Sequence, residues 1–224
     1  MTALSALGVV DGRELALYMT AVLVLNATPG VDLLLTVSRT LQGGVRAGLA
    51  AALGIHAGCV VHAVAAALGL AALLAVSANT FVVIKGLGAA YLFYLGWCMW
   101  RSAWLGRGTA AADLPTRRSV FADFRSGLLT NLLNPKVALF FLAFLPQFIA
   151  PQTPHKTLAF LALGGLFVVQ SLVFLALVVA LVVLASRSPG WQASSAVARG
   201  LHWVGGTLFV GLAWRLASET HRGP

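Results

Sequence analysis

The sequence predicts an all-α integral membrane protein with six transmembrane helices, arranged as two inverted three-helix repeats. Hydrophobic residues make up 59% of the 224 residues, charged residues make up 9%, and the mean hydropathy is +0.91. These values lie outside the range of soluble globular domains. Apolar runs long enough to cross ~30 Å of hydrocarbon recur along the whole chain. A polar, arginine-rich stretch separates these runs into two groups of three.

The predicted spans follow one another with short connections. Their approximate bounds are 15–37, 47–76, 81–104, 127–150, 158–185 and 201–217. The loops after the first, third and fifth spans hold nine Lys or Arg residues, whereas the opposite side holds four. Lys and Arg concentrate on the cytoplasmic side of membrane proteins, so both termini are predicted to lie on the outer side. The positive charge is therefore an orientation signal, and nucleic acid is not an expected partner.

The polar stretch also sets the predicted division of the chain. Residues 1–106 form the first three-helix repeat, 107–126 a basic cytoplasmic loop, and 127–224 the second repeat. Each repeat has an odd number of spans, so the second runs inverted through the bilayer. In transporters built this way, Gly/Pro-interrupted segments at corresponding positions of both halves indicate the binding site.

The first span of each repeat carries such an interruption. One is the segment Thr28-Pro29-Gly30 and the other is Asn134-Pro135-Lys136. Proline costs ~3 kcal/mol inside a helix but little at the first helical position. Thr28 and Asn134 are both N-cap residue types placed before a proline. Spans one and four are therefore predicted to be interrupted near the midplane, each with a new helix N-terminus there.

These N-termini, together with one acid and one base, predict a polar binding site. Unpaired N–H groups at a helix N-terminus attract anions, and ionisable residues at this depth are functional-site candidates. Asp32 is also the candidate proton carrier. The alternative is that Asp32 and Lys136 form a permanent ion pair that locks the repeats together. The candidate substrate-binding residues are Asn26, Thr28, Pro29, Gly30, Asp32, Asn131, Asn134, Pro135 and Lys136.

Other polar residues within the spans have two interpretations. His62, Gln147 and Gln170 are candidate pathway residues, and His62 and Gln170 could instead bond a neighbouring helix. His56, Cys59 and His62 could be read as a metal cluster, but they spread over about 120° of a helix and lack an acidic fourth ligand. We therefore predict no resident metal and no cofactor. Gly54 and Gly58 predict a close approach to another helix.

Several motifs give the chain a family resemblance. They include Thr28-Pro29-Gly30-Val31-Asp32, Gly44-Val45-Arg46-Ala47-Gly48, the run from Lys85 to Gly96, and Asn134-Pro135-Lys136 followed by Pro146-Gln147-Phe148. In this order they resemble the lysine exporter/threonine efflux (LysE/RhtB-type) family. The resemblance implies a six-helix protein of the bacterial inner membrane that exports amino acids in exchange for protons. The expected partners are an amino acid, protons and the lipid bilayer, and a homodimer is compatible with the sequence.

Two other functions are weighed against amino-acid export. Efflux of a divalent metal cation is the alternative within the same superfamily. An intramembrane enzyme is disfavoured because the sequence has no His-Glu-x-x-His, no Gly-x-Ser-x-Gly and no paired intramembrane carboxylates. The identity of the amino acid stays open.

Overall fold

The computed structural model describes residues 12–70, 119–150 and 153–187, together with individual residues between 86 and 105 and between 203 and 214. These residues contain helices and no β-strand. The helices are α1 (Gly12–Ala27), α2 (Val31–Ala65), α3 (Val120–Leu132), α4 (Pro135–Leu139) and α5 (Lys156–Ser186). A π-helical turn, Ala66–Leu70, continues α2. The segments Phe140–Phe144 (π-helical) and Leu145–Phe148 (3-10) continue α4.

The described helices fit membrane spans. Val31–Gly69 and Lys156–Ser186 are each long and apolar enough to cross a bilayer. The pair Val120–Leu132 and Pro135–Phe148 makes a third candidate if its two parts, bent by 50°, count as one span. The predicted third and sixth spans lie mostly outside the described residues. The total of six spans and the inverted repeat therefore remain predictions.

The structure confirms both predicted helix interruptions. α1 ends at Ala27 before α2 begins at Val31, and α3 ends at Leu132 before α4 begins at Pro135. Asn134 is the predicted N-cap, since its side chain accepts a hydrogen bond from the Lys136 amide at 3.0 Å. Pro135 is the first residue of α4.

The prediction that Thr28 is an N-cap was wrong. Its hydroxyl donates to the Val24 carbonyl at 2.6 Å, in the preceding turn of α1. Gly30, in an extended conformation, occupies the N-cap position of α2 and supplies no side-chain bond. Thr and Ser hydroxyls often bond the carbonyl four residues back, and this local bond satisfies the Thr28 side chain before α2 begins. Pro29 accordingly lies between the helices rather than at the start of α2.

A tight turn at Gly44 separates the first two predicted spans. Gly44 has φ 71°, a left-handed conformation that favours glycine. A Cβ placed on Gly48 would lie 3.1 Å from the Thr40 Cβ. Eight residues of straight helix would separate these positions by about 12 Å. The chain therefore reverses direction within α2.

The part of α2 after this turn packs closely on α3. A Cβ on Gly54 would collide with the backbone of Phe124, and a Cβ on Gly127 would collide with the backbone of Ala51. Gly58 lies against the Asn131 side chain. The close helix approach predicted from Gly54 and Gly58 is therefore confirmed. α3 begins at Val120, earlier than the predicted span, because Ser119 accepts from the Ala122 amide and caps it.

α5 packs along the same unit and presents one apolar face outward. The Tyr18 hydroxyl of α1 donates to the Leu163 carbonyl of α5 at 2.8 Å. Rings of Phe140, Phe141 and Phe167 pack together beside it. The outward face repeats every four residues with exposed side chains of Val169, Val173, Leu177 and Leu181. An exposed apolar stripe at helical spacing is the face that a bilayer covers.

A buried ion pair joins α2 to the start of α3. The Arg39 Nε lies 2.7 Å from the Asp123 Oδ1, and the two side chains are 1% and 2% exposed. Arg39 Nη1 also donates to Gln42 Oε1 at 2.8 Å. Arg39 is one of the nine Lys and Arg residues counted in the predicted cytoplasmic loops. Its burial depends on Asp123, because an unpaired charge in this environment would be strongly unfavourable.

The glycine contacts between α2 and α3 generate a prediction about stability. We expect Gly54→Ala to lower the free energy of unfolding by about 1–3 kcal/mol, because the added methyl group meets backbone that cannot move aside. Gly165→Ala is the matched control, since a Cβ there has nothing within 4 Å. Thermal unfolding of the detergent-purified variants measures both. Equal melting temperatures for the two variants would contradict this packing.

The buried ion pair generates a second prediction. Asp123→Ala should reduce stability by about 3–5 kcal/mol, because it leaves the Arg39 charge buried without its carboxylate. The double variant Arg39→Met/Asp123→Leu removes both charges and should recover most of the melting temperature. A double variant as unstable as Asp123→Ala would show that the charges themselves are needed.

Candidate functional site

A cavity lies where the two helix interruptions meet. Polar residues from both interruptions, from the middle of α2 and from α5 surround it, and its volume is about 30 Å³. This volume holds about two water molecules. An amino acid is larger, so it can enter only when the surrounding helices separate. The polar lining consists of Asn26, Thr28, Gly30, Asp32, His56, Cys59, Asn134, Lys136 and Ser171, and the apolar lining includes Leu25, Leu33, Ile55, Val137, Phe167 and Leu175.

Asp32 occupies the second position of α2, where the helix N-terminus favours a negative charge. One carboxylate oxygen, Oδ2, accepts hydrogen bonds from the side-chain amides of Asn131 at 2.9 Å and Asn134 at 3.0 Å. The other oxygen, Oδ1, is buried and has no hydrogen-bond partner among the residues that the structure describes. The two asparagines therefore fix the carboxylate and leave Oδ1 for a ligand.

Lys136 does not form the predicted ion pair with Asp32. Its Nζ donates to the carbonyls of Leu25 at 2.6 Å and Thr28 at 3.1 Å. These carbonyls belong to the end of α1, where the helix leaves them without amide partners and carries partial negative charge. The interpretation of Asp32 and Lys136 as a permanent lock between repeats was therefore wrong.

The two interruptions hold each other in place. Lys136, from the second interruption, satisfies the end of α1, while Asn131 and Asn134 hold the acid at the start of α2. Two of the three N–H donors of Lys136 are used by the carbonyls, which leaves one for another group. Among the described residues, the site therefore has one carboxylate oxygen without a hydrogen-bond partner, the Asp32 Oδ1, and one unused N–H donor on the Lys136 Nζ.

The remaining candidates take different positions around the site. The Asn26 amide donates to the Ser171 hydroxyl at 2.7 Å, which joins α1 to α5. Asn131 is fully buried behind Asp32 and does not line the cavity. Pro29 and Pro135 are also absent from the lining. The two prolines interrupt the helices without facing the cavity.

The candidate pathway residues lie outside the cavity lining and bond backbone carbonyls. His62 contacts the Asn131 carbonyl at 3.2 Å and stacks on Phe141. The Gln170 amide donates to the Met19 carbonyl of α1 at 2.9 Å. The Gln147 amide donates to the Ala143 carbonyl in its own segment at 2.7 Å. His62 of α2 therefore contacts α3 and Gln170 of α5 bonds α1, in agreement with the interpretation that they bond a neighbouring helix.

His56, Cys59 and Ser171 line the cavity but were not assigned to the site from the sequence. His56 and Cys59 had a visible signal, because they are polar side chains three positions apart in an apolar span. The sequence could not show that they face Asp32, since that depends on the rotation of α2 after Gly44. Across the part of the chain that the structure describes, no three His, Cys, Asp or Glu side chains are arranged to hold a metal.

Comparison with known proteins gives the family. The profile of the LysE type translocator family matches residues 23–220. The chain belongs to this family. It is a membrane transport protein and not an enzyme, and the resemblance inferred from the motifs is confirmed.

Relatives in this family align over nearly the whole chain. An uncharacterized membrane protein of Pseudomonas aeruginosa is 36% identical over 91% of this chain and 94% of its own length. The homoserine/homoserine lactone efflux protein of Salmonella typhimurium is 31% identical, with 91% and 96% covered. The leucine efflux protein of Salmonella choleraesuis is 29% identical, with 90% and 93% covered. No solved structure matches the chain.

The contacts of Lys136 generate a third prediction. Lys136→Met should lower the melting temperature, because hydrogen bonds from a charged donor contribute about 1.5–3 kcal/mol each and the Leu25 and Thr28 carbonyls would lose theirs. Lys156→Met, at the first residue of α5, is the matched control. Thermal unfolding in detergent measures both variants. An unchanged melting temperature for Lys136→Met would show that Lys136 does not hold the end of α1.

Proposed function

We propose that this LysE type translocator exports amino acids from the cytoplasm across the bacterial inner membrane, in exchange for protons. The observation that carries the proposal is the buried carboxylate of Asp32, which is fixed through one oxygen and, within the described ranges, has no hydrogen-bond partner at the other. A buried anionic acceptor beside a cavity suits the ammonium group of a zwitterion. Both termini are proposed to lie on the periplasmic side, as the distribution of Lys and Arg predicts.

The names of the relatives support an ammonium site as the common element. They are efflux proteins for homoserine and homoserine lactone and for leucine. These compounds share the α-amino group, whereas homoserine lactone has no free carboxylate. The ammonium is therefore assigned to Asp32. The carboxylate of the substrate, when there is one, is assigned to the unused N–H donor of Lys136 and to the N-terminus of α2, because the positive potential at a helix N-terminus attracts an anion. The same names favour amino acids over the divalent-metal alternative.

Asp32 is proposed to carry the coupled proton as well. Substrate ammonium and a proton would compete for the same carboxylate, because either one neutralises its charge in a site of low dielectric. Outward release of the amino acid would leave Asp32 charged, and a proton from the outer side would neutralise it before the carrier returns. Reconstituted protein tests this scheme. Counterflow of a panel of amino acids should occur, and a pH gradient that is acid outside should accelerate export.

Replacement of the acid provides the direct test. Asp32→Asn should reduce transport by about 100-fold, because the neutral amide cannot balance a buried ammonium. The melting temperature should stay close to that of the wild type. Glu14→Gln, near the start of α1 and outside the cavity lining, is the matched control and should transport normally. Undiminished transport by Asp32→Asn would remove Asp32 from the mechanism, and absence of transport for every amino acid in the wild type would reject the proposed function.

A further inference from the structure

His56 is a second polar group in the cavity whose ring nitrogen lacks a partner. The residue is 4% exposed, lies in the middle of α2 and lines the same cavity as Asp32. Its Nδ1 lies 2.6 Å from the Ala52 carbonyl, one turn earlier in the helix. Its Nε2 is buried and, within the described part of the chain, has no hydrogen-bond partner.

The contact with Ala52 decides what the free nitrogen can do. A backbone carbonyl only accepts hydrogen bonds, so Nδ1 carries the proton in this contact. In the neutral ring, Nε2 is then an acceptor. The backbone of Ser171 on α5 also lies near the ring, and Nε2 forms no hydrogen bond among the described residues.

The charges around the ring lie on several elements. Asp32 at the start of α2 and Lys136 on α4 line the same cavity, while α5 contributes the uncharged Ser171. Lys136 directs two of its donors to the carbonyls at the end of α1. Among the described residues, the buried side-chain atoms of the cavity lining that have no hydrogen-bond partner are the Asp32 Oδ1 and the His56 Nε2, and both accept hydrogen bonds. Their common complement is a ligand group with several N–H donors.

We propose that His56 is a substrate-binding residue that recognises the primary ammonium of the transported amino acid through Nε2, together with the Oδ1 of Asp32. This inference rests on the proposed function and deepens it. The carboxylate of Asp32 balances the charge of the ammonium. The His56 imidazole accepts a further N–H hydrogen bond, so an ammonium with fewer N–H donors binds less well. A primary ammonium can satisfy both acceptors, whereas an N,N-dimethyl ammonium keeps one N–H and leaves one acceptor unpaired.

Two substitutions separate the two nitrogens of the ring. The amide of His56→Asn can replace the Nδ1 donor to Ala52 but does not reach the position of Nε2. His56→Gln extends an amide oxygen toward that position. We expect His56→Asn to weaken binding of the amino acid with the fastest counterflow by about tenfold, the effect of one hydrogen bond to a charged group. His56→Gln should restore part of the affinity, and His155→Asn, outside the cavity lining, is the matched control.

Ligand derivatives identify the group that His56 contacts. Competition with transport is measured for the amino acid, its N,N-dimethyl derivative and its carboxamide. Dimethylation should weaken competition by about tenfold or more in the wild type and much less in His56→Asn, because the variant has no Nε2 contact to lose. The penalty for the carboxamide should be the same in both proteins.

Each other outcome overturns the assignment. An equal dimethylation penalty in the wild type and in His56→Asn would show that His56 does not contact the ammonium. A changed carboxamide penalty would show that the ring acts as a donor to the carboxylate. If His56→Asn fails to fold, the same comparison with His56→Ala decides, since this variant also lacks the Nε2 contact and should show a much smaller dimethylation penalty than the wild type. Wild-type transport with no effect of His56 would reject this inference and leave the proposed function intact.

Discussion

The structure depends on one constraint, which is that a helix interrupted inside a membrane exposes backbone groups that cannot stay unpaired. Each unsatisfied group would cost several kcal/mol in hydrocarbon. At the end of α1, Lys136 supplies the missing donors. At the start of α4, the Asn134 side chain supplies the missing acceptor. Both solutions place polar side chains close to each other, and a cavity with a partly polar lining lies between them.

The polar contacts link elements that are far apart in the sequence. Asn131 and Asn134 reach Asp32 across about 100 residues of chain, and Asn26 reaches Ser171 across 145 residues. Each link joins an interruption to another helix, so the interruptions cannot move independently. Separation of the helices to admit a ligand must therefore exchange some of these bonds for bonds to the ligand. In the proposed function, this exchange would couple occupancy of the site to the conformation of the protein.

Close helix packing and apolar exposure complete the arrangement. Gly54 and Gly127 bring the backbones of α2 and α3 into contact, and Asp32 and His56, which lie before and after the turn at Gly44, line the same cavity. The buried pair of Arg39 and Asp123 joins the same two helices away from the cavity. The outward face of α5 carries exposed apolar side chains, and its inward face carries Ser171 and Phe167, which line the cavity. The exposed apolar surface and the polar site therefore lie on opposite faces of α5.

The sequence by itself determined the helical class, both interruptions and the acid and base beside them. Proline lacks an N–H and glycine lacks a Cβ, so their effect on a helix is local and can be read without neighbours. Only the tertiary structure decided the partners. Lys136 could have paired with Asp32, but its Nζ donates hydrogen bonds to the carbonyls at the end of α1. Arg39 is buried rather than exposed, and His56 faces the cavity. These outcomes depend on how each helix is rotated against helices about 100 residues away. Hydrophobic periodicity does not specify that rotation, because the helices are apolar on nearly every face.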